Sequence, residues 1–158
     1  MRTFSLGAGK DTVVFANDAT NNGKDTITGF TAGARGDELD FTAFITSSLT
    51  VGELNVTTGQ SLSANNIYQT TVSGAIKSKD YGGTEFDELF DTSGKAFVTT
   101  GTSSGNKEVI VVKGDDVTQI YYVSATAGTL TSDMVTLVAV IDNDGSGVAL
   151  TTDNFVVA

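Results

Sequence analysis

Short apolar clusters separated by Gly and Asp fill the first part of the chain. Thr12-Val13-Val14-Phe15 is one cluster, Thr26-Ile27-Thr28-Gly29-Phe30 a second and Leu39-Asp40-Phe41 a third. Each follows a Gly-x-Asp or Gly-Asp element, a pattern that predicts short strands joined by tight loops. Residues 46–78 read as polar loop with strand pieces, notably Ile67-Tyr68-Gln69-Thr70-Thr71-Val72. The stretch Thr84–Phe90 predicts a helix. Thr84 can cap it, Asp87 stands three residues on as in a capping box, and Phe86, Leu89 and Phe90 share one face before Gly94 stops it. Four apolar runs follow, Ala96–Thr100, Lys107–Lys113, Thr118–Ser124 and Val135–Asp142, divided by Ser104-Gly105-Asn106, Gly114-Asp115-Asp116 and Ala127-Gly128. A short helical turn is expected to open at Thr131 or Thr152. The expected fold class is all-β with one or two short helices, in the form of an antiparallel β-sandwich or roll with a loop-rich N-terminal part. The division expected is residues 1–45 as a Gly-Asp loop segment and 46–158 as a sandwich-like unit, or the two as one continuous domain.

Composition narrows the chemistry. The chain has 158 residues, enough to bury a core without covalent staples. Thr and Val favour strands because a branched Cβ fits a pleated surface. There is no Cys, His, Trp or Pro. That excludes disulfides, zinc sites of Cys and His, a Ser–His–Asp triad and any Cys nucleophile. Carboxylate pairs such as Asp87–Glu88 or Asp115–Asp116 remain, but adjacent residues on a helix do not face each other. An enzyme is not expected. The formal net charge of −10 repels phosphate backbones, so nucleic acid is not an expected partner, and it attracts divalent cations. No apolar run approaches the ~20 residues of a membrane span. The start, Met1–Gly7, lacks the apolar core of a cleavable signal peptide.

Gly7-Ala8-Gly9-Lys10-Asp11-Thr12-Val13 matches G-x-G-x-D-x-U, with U apolar, the unit of calcium-binding β-helix repeats. Glycines allow a sharp turn that aims carbonyls inward. Asp supplies hard anionic oxygen to Ca²⁺, which takes six to eight such ligands. Asn21-Asn22-Gly23-Lys24-Asp25-Thr26-Ile27 is a degenerate second copy, and Gly36-Asp37-Glu38-Leu39-Asp40-Phe41 a looser third. The candidate calcium ligands are therefore Asp11, Asp25, Asp37 and Asp40, with backbone carbonyls of Gly7, Gly9 and Gly23. The same residues also read as three ordinary turns of a Gly-rich β protein. The steps from Asp11 to Asp25 and from Asp25 to Asp37 are 14 and 12 residues, not multiples of nine, so one or two sites are expected rather than a stack.

Asp142-Asn143-Asp144-Gly145-Ser146-Gly147, with Asp153 beyond, places oxygen-bearing side chains and Gly at EF-hand spacing. Asp142, Asp144 and Asp153 are thus further candidate ligands, although a plain β-turn with a solvated acidic tip reads the same residues. Arg35-Gly36-Asp37 spells a cell-attachment tripeptide inside the third Gly-Asp element.

The three N-terminal elements, Gly9-Lys10-Asp11-Thr12-Val13-Val14-Phe15, Asp25-Thr26-Ile27-Thr28-Gly29-Phe30 and Gly36-Asp37-Glu38-Leu39-Asp40-Phe41, resemble in order the C-terminal region of RTX-type bacterial surface proteins exported by type I secretion, surface-layer proteins in particular. Gly29 stands where that family usually has Asp. Gln119–Val123 and Val135–Val140 are similar to its terminal β unit, and Asp153-Asn154-Phe155-Val156-Val157-Ala158 resembles its uncleaved export signal. The same tail also reads as an edge strand or terminal helix docking Phe155 and Val157. The resemblance implies a secreted or cell-surface protein that binds Ca²⁺. It would partner with copies of itself in a layer, fibre or matrix and with the type I secretion machinery through its C-terminus. The other function it implies is a passive secretion and folding unit of a larger enzyme or adhesin.

Overall fold

The computed structural model describes residues 1–46, 50–54, 61–71, 98–100, 106–125, 128–129 and 134–158. The helix expected at Thr84–Phe90 and the turn expected at Thr131 lie outside them. The regular elements among the described residues are almost entirely strands. They are β1 (Thr3–Ser5), β2 (Thr12–Val14), β3 (Asp25–Thr28), β4 (Glu38–Asp40), β5 (Val51–Glu53), β6 (Ser61–Ser63), β7 (Ile67–Thr71), β8 (Val98–Thr100), β9 (Asn106–Lys113), β10 (Thr118–Ala125), β11 (Gly128–Thr129), β12 (Val135–Ile141) and β13 (Phe155–Val156). One four-residue helix, α1 (Ala19–Asn22), and one 3₁₀ turn (Thr152–Asn154) accompany them. The all-β expectation holds.

Three sheets form. The largest has the order β1-β3-β12-β10-β9-β7-β5, and the smaller two are β13-β4-β2 and β11-β8-β6. The antiparallel pairing expected from the strand spacing holds for β9–β10 and β10–β12, and also joins β8 to β11. The other described pairs are parallel. Parallel neighbours need a crossover between them, and here the crossover is itself a strand of another sheet. β1 of the large sheet leads to β2 of the small one, β3 to β4, and β12 to β13. Three coils result, stacked as β1-β3-β12 over β2-β4-β13: a short parallel β-roll. Thr3 lies beside Thr26 and Thr12 beside Glu38, so each coil is longer than two nonapeptides. The third coil comes from the opposite end of the chain, so residues 1–45 and 134–158 share two sheets. β5, β7 and β9 alternate with β6 and β8 in the same manner on the remainder of the large sheet.

The central strands are buried on both faces, which explains their unbroken apolar runs. Along β9, Val109 and Val111 enter the core under β2-β4-β13, while Ile110 and Val112 enter a second core with Leu54, Leu62 and Tyr68. Ile120 and Tyr122 divide from Tyr121 and Val123 in the same way on β10. A bulge between Ile120 and Tyr121 leaves Val138 as an extra residue of β12, so Val138 and Ala139 both face the first core. At the end of the roll that carries α1, Tyr122 stacks on Phe44 at 3.6 Å between ring centroids, and its hydroxyl donates to the Ala16 carbonyl at 2.9 Å. Burial and the nearby Asp18 and Asp40 raise the pKa of that hydroxyl.

Candidate functional site: the two edges of the roll

The coils turn at two edges, and the sequence-predicted ligands divide between them. One edge is built from residues 6–11, 29–37 and 142–154. It carries Gly7, Gly9, Asp11, Asp37, Asp142, Asp144 and Asp153, so it brings the first and last candidate groups together. The other edge carries Gly23, Asp25 and Asp40. The steps of 14 and 12 residues measure passage from edge to edge, not from coil to coil.

On the first edge Asp37 is fully buried. Its Oδ1 accepts the Asp11 N–H at 2.8 Å and its Oδ2 the Thr31 N–H at 2.7 Å. The carboxylate ties the turn of the first coil to that of the second through charge-assisted bonds. Because Asp37 is buried, Arg35-Gly36-Asp37 is not displayed as an attachment loop. Asp11 is half-buried, and its Oδ2 accepts the Gly7 N–H at 3.2 Å. Lys10 pairs with Glu38 at 2.5 Å beside it.

Asparagines do the corresponding work for the third coil. Asn143 Oδ1 accepts the Phe30 N–H at 3.0 Å and its Nδ2 donates to the Phe30 carbonyl at 2.7 Å. Asn154, also fully buried, donates to the Asp37 carbonyl at 2.8 Å and accepts from Gly33 N–H at 3.1 Å and Thr151 N–H at 3.0 Å. Sequence reasoning passed over both asparagines. The signal available was an Asn near each end of the stretch Asp142–Phe155, where a turn asks for a side chain able to donate and accept at once. The Asp142–Gly145 tip is an ordinary tight turn, with the Gly145 N–H on Asp142 Oδ1 at 3.0 Å and left-handed φ at Asp144 and Gly145. Asp144 and Asp153 are exposed.

Gly29 sits where the backbone admits little else. Its φ is +72°, and a Cβ there would lie 2.7 Å from the Leu6 carbonyl oxygen. The first two coils touch backbone to backbone at this point, so any side chain would force the backbone to shift.

On the second edge Asp25 is buried. Its carboxylate accepts the Arg2 backbone N–H at 2.8 Å and pairs with the Arg2 guanidinium at 2.7 Å, which raises the Arg2 pKa. Asn21-Asn22-Gly23 closes α1 rather than forming a ligand turn. Buried Asn22 accepts the Ala16 N–H at 3.1 Å, and Gly23 N–H caps Ala19. Asp40 is half-buried and accepts the Thr42 N–H at 2.9 Å.

Calcium needs several converging oxygens. Asp25 and Asp37 are already committed to cationic or N–H donors, and among the described residues no three acidic side chains meet at one point. Among the described residues, the predicted acidic ligands of one copy do not by themselves close a cage. Of the predicted ligands, Asp11, Asp40, Asp142, Asp144 and Asp153 keep partly or fully exposed carboxylates. Asp144 also borders a cleft with Ser5, Thr28, Thr31 and Asn143, where it is the one acidic group among the described residues. Among the described residues no helix is long and apolar enough to cross a membrane. No family model, curated protein or solved structure matches the chain.

Proposed function

We propose that this chain is a structural, non-enzymatic subunit of an extracellular layer, fibre or matrix, self-assembling and responsive to calcium. The observation that carries the reading is the use made of its buried polar side chains. Asp25, Asp37, Asn22 and Asn154 are spent on backbone groups and on Arg2, so the conspicuous residues of the sequence build a frame instead of converging on a ligand. The missing His and Cys support the same reading.

Calcium acts in this reading at the acidic edge, through Asp11, Asp142, Asp144 and Asp153. These keep oxygens for shared, solvent-accessible coordination, which suits an ion held between neighbouring copies. Export uses the C-terminal residues Asp153–Ala158, read by the type I secretion machinery before folding buries Phe155 in β13.

The test is a calcium titration into chelated protein, followed by circular dichroism and light scattering. Growth of large particles with calcium, weakened by Asp11→Ala with Asp144→Ala but not by removing other surface acids, is the expected result. A folded sample whose mass never changes with calcium sinks the reading.

A further inference from the structure

Among the described residues, the first coil leaves two strand edges open at the same end of the roll. β1 is an outer strand of the large sheet and β2 an outer strand of the small one. The hydrogen bonds settle which groups are open. Thr26 N–H donates to the Arg2 carbonyl at 2.8 Å and Leu6 N–H to the Thr28 carbonyl at 2.9 Å, so Arg2, Phe4 and Leu6 address β3 and the backbone of Thr3 and Ser5 points outward. Glu38 N–H donates to the Asp11 carbonyl at 2.8 Å and Phe15 N–H to the Asp40 carbonyl at 2.9 Å, so the backbone of Thr12 and Val14 points outward on β2. Both edges therefore offer the same array: two open residues flanking one that faces the core, Phe4 in β1 and Val13 in β2.

Edges of this kind are normally blunted by Lys, Pro, a bulge or a covering element. Thr3-Phe4-Ser5 and Thr12-Val13-Val14 contain no charge, and the chain has no Pro. Val14 is 68% exposed, one of the two large apolar side chains that stand out among the described residues. Charge is also permissive. Residues 1–15 carry two basic side chains, Arg2 and Lys10, against one acidic, Asp11, whereas the whole chain is at −10. Arg2 and Lys10 are each paired with a carboxylate of their own chain. This end is where two copies of an acidic protein can approach without like-charge repulsion.

The geometry points to a two-fold dimer in which this end meets the same end of a second copy. An axis crossing the roll through Phe4 and Val13 sets β1 antiparallel to its mate and β2 antiparallel to its mate at once. Thr3 then faces Ser5 and Thr12 faces Val14 of the other copy, each as a hydrogen-bonded pair. Such an interface is self-complementary and closes on itself. Head-to-tail stacking satisfies only one edge, because β12, the third-coil strand of the large sheet, is already covered by β10. The inference rests on the self-assembly reading only in taking a second copy as the partner, and it makes this dimer the unit that calcium joins.

The experiment is sedimentation in chelator over a dilution series, with the wild type, Val14→Lys, Thr12→Lys and the conservative Val14→Thr. The expected result is a wild-type dimer that dissociates on dilution. Both Lys variants should be monomers with a monomer's melting temperature unchanged from wild type, and Val14→Thr should retain dimer. A wild type that stays monomeric, a dimer indifferent to both Lys variants, or mass that grows past the dimer without calcium overturns the proposal. Adding calcium separates the two readings. A dimer that never grows with calcium defeats only the calcium-assembly reading, and a monomer that assembles with calcium defeats only the edge pairing.

Discussion

The Asp37 carboxylate, on the second coil, accepts the backbone N–H of Asp11, on the first, at 2.8 Å. Two residues nominated as calcium ligands are thus donor and acceptor to one another. The bond costs Asp37 its availability to a cation and in return pins adjacent coils.

Removing that carboxylate should loosen the roll rather than only a metal site. Asp37→Ala leaves the Asp11 and Thr31 N–H groups without their acceptor, at about 1–3 kcal/mol each where water cannot reach them. A loss of roughly 3 kcal/mol in chelator is expected, read as a lower midpoint of urea unfolding with an unchanged slope. A loss seen only when calcium is present would return Asp37 to the ligand set.

Asn143 provides a sharper case, because its amide both donates and accepts. Asn143→Asp keeps the acceptor for the Phe30 N–H but turns a carboxylate toward the Phe30 carbonyl. It should destabilise by about 1–3 kcal/mol at neutral pH. Below pH ~4 the protonated carboxyl can donate again, so the deficit should shrink. Unfolding curves of wild type and variant at the two pH values decide it, and an equal deficit at both would show that the donor half of the pair has no weight.

Gly29→Asp would add an acidic side chain to the turn after β3. It must adopt positive φ and place its Cβ 2.7 Å from the Leu6 carbonyl oxygen. The conformational term alone is about 1–2 kcal/mol, and the contact adds to it. A clear drop in melting temperature and no gain in calcium affinity by calorimetry are expected. A stable variant with tighter calcium binding would mean that the coils can separate here.

Glu108 sets a pH dependence. It lies on β9 opposite Val123, is fully buried, and neither carboxylate oxygen has a hydrogen-bond partner among the described residues. Desolvation pushes its pKa up to about 7. The folded state therefore holds a proton that the unfolded state releases at the ordinary carboxylate pKa. Its contribution is fully present below pH ~4.5 and is lost as pH rises toward ~7, on the order of 2–3 kcal/mol in total. Melting temperature should fall across that window in wild type, and Glu108→Gln should flatten the fall. A wild-type profile that does not decline between those values would show that the carboxylate reaches water or a cation.

Much of the strand content was legible in the sequence, because Thr12–Phe15, Thr26–Phe30, Ile67–Thr71 and the three long runs after residue 106 combine branched or aromatic residues with bounding Gly and Asp. β1 was missed, since Thr3-Phe4-Ser5 has one apolar residue and no turn before it. α1 was missed because its four residues, Ala19-Thr20-Asn21-Asn22, carry no apolar stripe and are held by the Asp18 cap.

What the sequence determined by itself is local: where β structure forms, which residues turn, and that the chain offers no His or Cys. Those properties follow from side-chain shape, backbone freedom and composition, which act over a few residues. Tertiary structure alone decided that β12 and β13 complete a roll begun by β1–β4, and that Asp11 and Asp25 lie on opposite edges. It also decided that Asp37 serves backbone amides. Pairing partners distant in sequence are chosen by how whole faces bury, and a carboxylate is a ligand or a staple according to which donors the fold brings to it.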